Sequence, residues 1–174
     1  MKNNNNSKSV NIITDKLLRE RNFGEAQGKI KEWIIKQAKN SNKTLREYVP
    51  EGGESCHQVL NRWKCFSEKM LNVILKEQTI NKSYEILVVT HGALMREVFK
   101  HLILDLKCEY MFDSECWTMP IENTSISLFV FDYKVNNLNN EPMAENDAEI
   151  ISVKCEYLMR NEHLKSKTNT LCDL

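Results

Sequence analysis

Residues 84–104, YEILVVTHGALMREVFKHLIL, constrain the fold more than any other stretch of this chain. Ile86, Leu87, Val88 and Val89 form a short continuous apolar run rich in β-branched side chains, the pattern of a strand buried on both faces. Thr90, His91 and Gly92 follow as a turn. Leu94, Met95, Val98, Phe99, Leu102 and Ile103 then recur at helical spacing, with Arg96, Glu97 and Lys100 between them. A buried strand that feeds a helix through a glycine turn places unpaired N–H groups and the positive end of a helix dipole at the strand's carboxyl end. His91 stands there. It reads either as a polar capping residue of the turn or as a residue facing a bound anion.

The 174 residues suit one domain with a real core. Lys and Arg number 24 against 24 Asp and Glu, so no bulk field favours nucleic acid or a membrane surface. A local phosphate site needs only a few arginines and is compatible with that balance. No apolar run approaches a membrane span, and the start, MKNNNNSKSV, lacks the apolar segment of a secretion signal. The six cysteines are scattered without a CxxC pair. That spacing supports neither a metal site nor a disulfide framework, and reduced cytoplasmic thiols are expected. No G-x-G-x-x-G occurs, so a dinucleotide site is not expected, and no cofactor is assigned.

Residues 1–8 are polar and of low complexity and read as a disordered start. One domain is expected over residues 9–159, with a loose tail over 160–174. Val10, Ile12 and Ile13 suggest a short strand. In LLRERNFGEAQGK, Glu20 lies between Arg19 and Arg21. Such a cluster is either a solvated surface or an acid beside an anion site, where a bound phosphate keeps the carboxyl protonated for proton donation. Residues 28–40 read as a helix with Ile30, Trp33, Ile34 and Ala38 on one face. The turn PEGGES opens a long helix that runs to about Lys76, where Ser55 can cap the start and Glu54 can favour its positive end. Its stripe of Val59, Leu60, Trp63, Phe66, Met70, Val73 and Ile74 reads as core, with Arg62 free to face solvent or a ligand. Residues 105–119 read as a loop. Residues 120–132 and 150–158 read as strands of an antiparallel hairpin.

The series LRERNFG, GGES, THGALMREVF, LILDLKC, NTSISLF and CEYLMRNEHL, in that order, resembles the histidine phosphatase superfamily, whose fold is phosphoglycerate mutase-like. The resemblance covers residues 10–158 and is strongest to fructose-2,6-bisphosphatases of the TIGAR type. It implies an α/β fold, a three-layer α/β/α sandwich with a mostly parallel sheet. It also implies hydrolysis of a phosphorylated sugar through a phosphohistidine, which lowers glycolytic flux, and a cytoplasmic protein with possible mitochondrial association. By the same resemblance Glu20 protonates the leaving oxygen and His91 is the second histidine of the phosphate pocket. Gly92 offers its N–H at the helix start, and Arg62 and Arg96 reach the substrate's distal phosphate.

The chain departs from the family pattern in one respect. The family's nucleophile comes from an Arg-His-Gly triplet at the end of the opening strand. Here the only His-Gly is His91-Gly92, which matches the family's second motif. Against that pattern the chain begins roughly at the third strand and reads as an amino-terminally truncated form or an incomplete gene product. Three readings follow: a histidine phosphatase whose first segment is absent, a non-catalytic phosphate-ester-binding or regulatory module, and an α/β fragment with no function of its own.

Overall fold

The computed structural model of the chain describes residues 12–76, 83–111, 120–135 and 148–165. Helix α1 spans Lys31–Asn40, α2 Cys56–Lys76 and α3 Gly92–Lys100. Strands β1, Ile126–Val135, and β2, Ala148–Arg160, pair antiparallel as the expected hairpin. A single helical turn, α4, Glu162–Lys165, lies within the expected loose tail.

The boundaries have local causes. At the start of α2, Ser55 Oγ accepts from Gln58 N at 3.1 Å and Gln58 Oε1 accepts from Ser55 N at 2.7 Å. This reciprocal capping box satisfies two N–H groups that the helix cannot. Helix α1 starts at Lys31, three residues later than expected, and Ile30 is left exposed ahead of it. Helix α3 passes into a π-helical turn, His101–Asp105, in which His101 Nδ1 and Asp105 Oδ2 lie 2.7 Å apart. The wider turn keeps Leu102 and Ile103 buried while Leu104 points outward.

The core is a contiguous cluster of Val59 from α2, Leu94, Val98 and Phe99 from α3, Leu102, Ile103 and Cys108 after it, and Val153 and Cys155 from β2. Leu94 and Val59 are fully buried, and each such side chain contributes about 1.5–3 kcal/mol. Phe129 from β1 closes the cluster against Phe99, with ring centroids 5.7 Å apart. The aromatic set Phe129, Phe131 and Tyr133 faces inward, while Ile126, Leu128 and Val130 lie on the outer face, each more than 40% exposed. Val73 at the far end of the α2 stripe is also exposed.

The mostly parallel sheet of a three-layer sandwich is not formed among the described residues: the sheet is two-stranded and antiparallel. Residues 12–14 and 83–90 belong to no strand, and residues 10 and 11 of the first expected strand lie outside the described set. Leu87 is 85% exposed and Val89 79%. The reason is one of partners. A run that is apolar on both faces is stable as a strand only when neighbours satisfy its backbone and cover both faces. Here its clear tie is a side-chain bond, from Thr90 Oγ1 to the Leu18 carbonyl at 2.7 Å.

Candidate functional site

Two loops that the sequence keeps about thirty residues apart, 15–26 and 48–54, are joined along their backbones. Glu25 N donates to Glu51 O at 3.0 Å, Glu54 N to Asn22 O at 2.8 Å, and Asn22 Nδ2 to Gly52 O at 3.0 Å. Gly24 explains why LRERNFG and PEGGES need their glycines. Its φ is +50°, and a Cβ there would stand 2.0 Å from Glu51 O and 2.5 Å from Gly53 N. Only glycine permits this approach.

Glu54 is the centre of the joint. Its Oε1 accepts from Arg19 Nη2 at 2.6 Å and Arg62 Nε at 2.9 Å, and its Oε2 from Asn22 N at 2.8 Å and Arg62 Nη2 at 3.1 Å. Burial pushes the Glu54 carboxyl up. The Asn22 N–H and the Arg62 and Arg19 guanidinium groups outweigh that and hold it below the ordinary glutamate value. Arg62 is buried as well, and its Nη1 donates to Leu17 O at 2.5 Å and Arg19 O at 3.2 Å. With an Nε and both amino groups engaged, this arginine is occupied by the protein. The expectation of a free Arg62 is therefore corrected. It lies behind the site as a strut, because a carboxylate eight residues earlier in the chain meets it on its own side of the helix.

These bonds grip the backbone on both sides of Glu20. Leu17, Leu18 and Arg19 are held through their carbonyls, and Asn22 through its N–H. Arg21 Nε donates to Glu54 O at 2.8 Å and its Nη2 to Tyr48 O at 3.1 Å. The Glu20 carboxylate points to the start of α3: its Oε1 accepts from Arg21 N at 2.7 Å, and Oε2 lies 3.5 Å from Ala93 N. A carboxylate is favoured there by the helix's unpaired N–H groups and dipole. His91 occupies the N-cap position but makes no side-chain cap bond, so the acid from the distant loop supplies the negative charge instead.

A cleft of about 410 Å³ opens at this point. Its polar wall is formed by Glu20, Arg21, Arg46, Arg96 and Glu97 with the backbone at Gly92 and Ala93, and its apolar wall by Phe23, Leu45 and Ile121. Three arginines face two glutamates, a balance suited to an anion. Among the described residues the Arg96 guanidinium has no protein partner. A Cβ on Gly92 would meet nothing within 4 Å, so the ground in front of the helix start is open. Cys56 also lines the cleft. Burial, with the nearby Glu97 charge, pushes its thiol up, which keeps it protonated and poorly nucleophilic.

Of the residues singled out from the sequence, Glu20, Gly92 and Arg96 meet at the cleft. His91 is exposed beside it and does not line it, and Arg62 is buried behind it. Glu54, Arg46 and Glu97 were not singled out for this role. A buried partner for Glu54 was detectable in principle from Arg62, two helical turns along α2. The Arg46–Glu97 pair, 2.5 Å apart, joins residues 51 positions apart and leaves no local signal. Among the described residues no three metal-ligating side chains cluster, and no helix is long and apolar enough to cross a membrane.

Comparison with known proteins gives this geometry a context. The sequence pattern of the histidine phosphatase superfamily (branch 1) matches residues 3–140. The chain is 29% identical to the fructose-2,6-bisphosphatase TIGAR B of Danio rerio, over 97% of the chain and 72% of that protein. It is 28% identical to the fructose-2,6-bisphosphatase TIGAR of Xenopus tropicalis, over 75% of the chain and 62% of that protein. To the mouse (Mus musculus) fructose-2,6-bisphosphatase TIGAR it is 26% identical, over 92% of the chain and 70% of that protein. The chain thus spans between three fifths and three quarters of the length of each of these relatives. A family pattern that covers most of the sequence, together with a loop acid, a His-Gly turn and an arginine brought to one helix start, makes the chain a member of the histidine phosphatase superfamily, branch 1.

Proposed function

We propose that the chain binds a phosphorylated sugar of the fructose 2,6-bisphosphate type in the cleft, and that these 174 residues alone do not turn it over. The observation that supports the binding is the convergence on one cleft of Glu20, the open backbone at Gly92 and an Arg96 that has no partner among the described residues. In this reading the phosphoryl oxygens accept from the α3 N-terminus, with His91 swinging in from its exposed position. Arg96 takes the distal phosphate, and Glu20 protonates the leaving oxygen. The same relatedness supports the family's three-layer sandwich as the fold, with residues 86–89 as one of its strands. Free thiols at Cys56, Cys65, Cys108 and Cys155 suit a cytoplasmic protein.

Turnover needs an imidazole that attacks phosphorus. The other histidines stand elsewhere: His57 is exposed and bonded to Asn61, His101 is engaged by Asp105, and His163 is exposed. None of the three lines the cleft. The reading is tested by titration calorimetry with fructose 2,6-bisphosphate. Arg96→Ala removes a charge-assisted contact and is expected to weaken binding about tenfold or more. Unchanged affinity in Arg96→Ala, or no binding by the unaltered chain, contradicts the assignment.

A further inference from the structure

Arg46 and Glu97 pair in the wall of the cleft, and their exposures differ sharply. The Glu97 side chain is 8% exposed and that of Arg46 is 38%. Glu97 is a buried anchor, and Arg46 is a half-open cation that stands over the cavity. The arginine is pinned at both ends: its Nη2 donates to Glu97 Oε2, and its carbonyl accepts from the Cys56 thiol at 3.5 Å. A guanidinium has five N–H donors, and Glu97 takes one. Arg62 and Arg21, by contrast, have their guanidinium groups engaged by Glu54, by backbone carbonyls and by the Cys56 sulfur. Among the described residues, Arg46 and Arg96 are therefore the arginines lining this cleft with the most donors left for a ligand. Both Arg46 and Arg96 line the cleft.

We propose that Arg46, held by Glu97, is a specificity-determining residue: with Arg96 it forms a subsite for the second phosphate of a bisphosphorylated sugar and so selects bisphosphates over monophosphates. This rests on the phosphate-ester reading of the cleft and adds its selectivity. A planar guanidinium fork fits two phosphate oxygens at once. Fixing the side chain before the ligand arrives removes part of the ordering cost of binding. Glu97 neutralises part of the Arg46 charge but takes only one of its N–H groups among the described residues. The plain alternative is an ion pair that only joins the 41–47 loop to α3, and such a pair would affect all ligands alike.

The test compares two probes, fructose 2,6-bisphosphate and fructose 2-phosphate, which lacks the distal phosphate, by titration calorimetry on the full 174-residue chain. Arg46→Gln keeps a donor for Glu97 and loses the charge. It is expected to weaken the bisphosphate about tenfold or more while leaving the monophosphate within about twofold. The double variant Arg46→Met/Glu97→Leu removes both partners, so no charge is stranded inside, and it should show the same selective loss. Equal weakening of both esters, or no weakening of either, overturns the subsite and leaves the phosphate-ester reading standing. Binding of neither ester by the unaltered chain overturns both.

Discussion

Glu54→Gln is expected to destabilise the chain by about 3–5 kcal/mol, because it strands the buried Arg62 guanidinium without a counter-charge. Two ion pairs converge on this carboxylate, and they differ in weight. The Arg19 side chain is 51% exposed, where a pair is worth a fraction of a kcal/mol, whereas Arg62 is 10% exposed and bidentate. The second pair decides the outcome, and Arg19→Ala should cost less than about 1 kcal/mol. In thermal unfolding Glu54→Gln should lower Tm by roughly 10 °C. The pH dependence has a fixed sign. The folded-state value lies below the ordinary 4.5, so the stabilisation is present above that pH and is lost as pH falls through the folded value. The Tm gap between the unaltered chain and Glu54→Gln should therefore narrow below pH 4.5. A gap that stays constant into acid would mean that charge at Glu54 is not what holds the loops.

Gly24→Ala should cost clearly more than Gly28→Ala. Both glycines have positive φ, +50° and +74°, so each alanine incurs the left-handed backbone penalty of about 1–2 kcal/mol. At Gly28 a Cβ meets nothing within 4 Å, and the penalty is the whole effect. At Gly24 it would enter the backbone of residues 51–53, which cannot move aside as a flexible side chain could. The loops must part, and the Glu25–Glu51 and Asn22–Glu54 bonds are lost with them. The expected loss is at least about 3 kcal/mol, with Glu20 released from the helix start. Urea unfolding of the two variants checks this; equal midpoints would contradict the close backbone approach.

Much of this was legible in the residues. The capping start of α2, the helix after His91 and the hairpin follow from local patterns, because a cap, a 3.6-residue period and an alternating strand are each set by near neighbours. What escaped depended on distant partners. The apolar run at residues 86–89 reads as a buried strand, but burial needs neighbours that the described residues do not provide, so Leu87 and Val89 are exposed. In β1 the alternation was visible, but not which set faces in. The larger Phe129 and Phe131 fill the core against Phe99, leaving Ile126, Leu128 and Val130 outside. Arg62 looked free because it lies off the apolar stripe, yet Glu54 buries it. The Arg46–Glu97 pair is purely tertiary.

The central claim, a phosphate-ester cleft without the phosphohistidine step, is tested most directly by following phosphate release. The chain is incubated with fructose 2,6-bisphosphate at a concentration that saturates binding, in parallel with His91→Ala. Release at the uncatalysed background is expected in both, since a cleft with no attacking imidazole can bind the ester without turning it over. Release well above background that His91→Ala abolishes would contradict it, and would make His91 the attacking group.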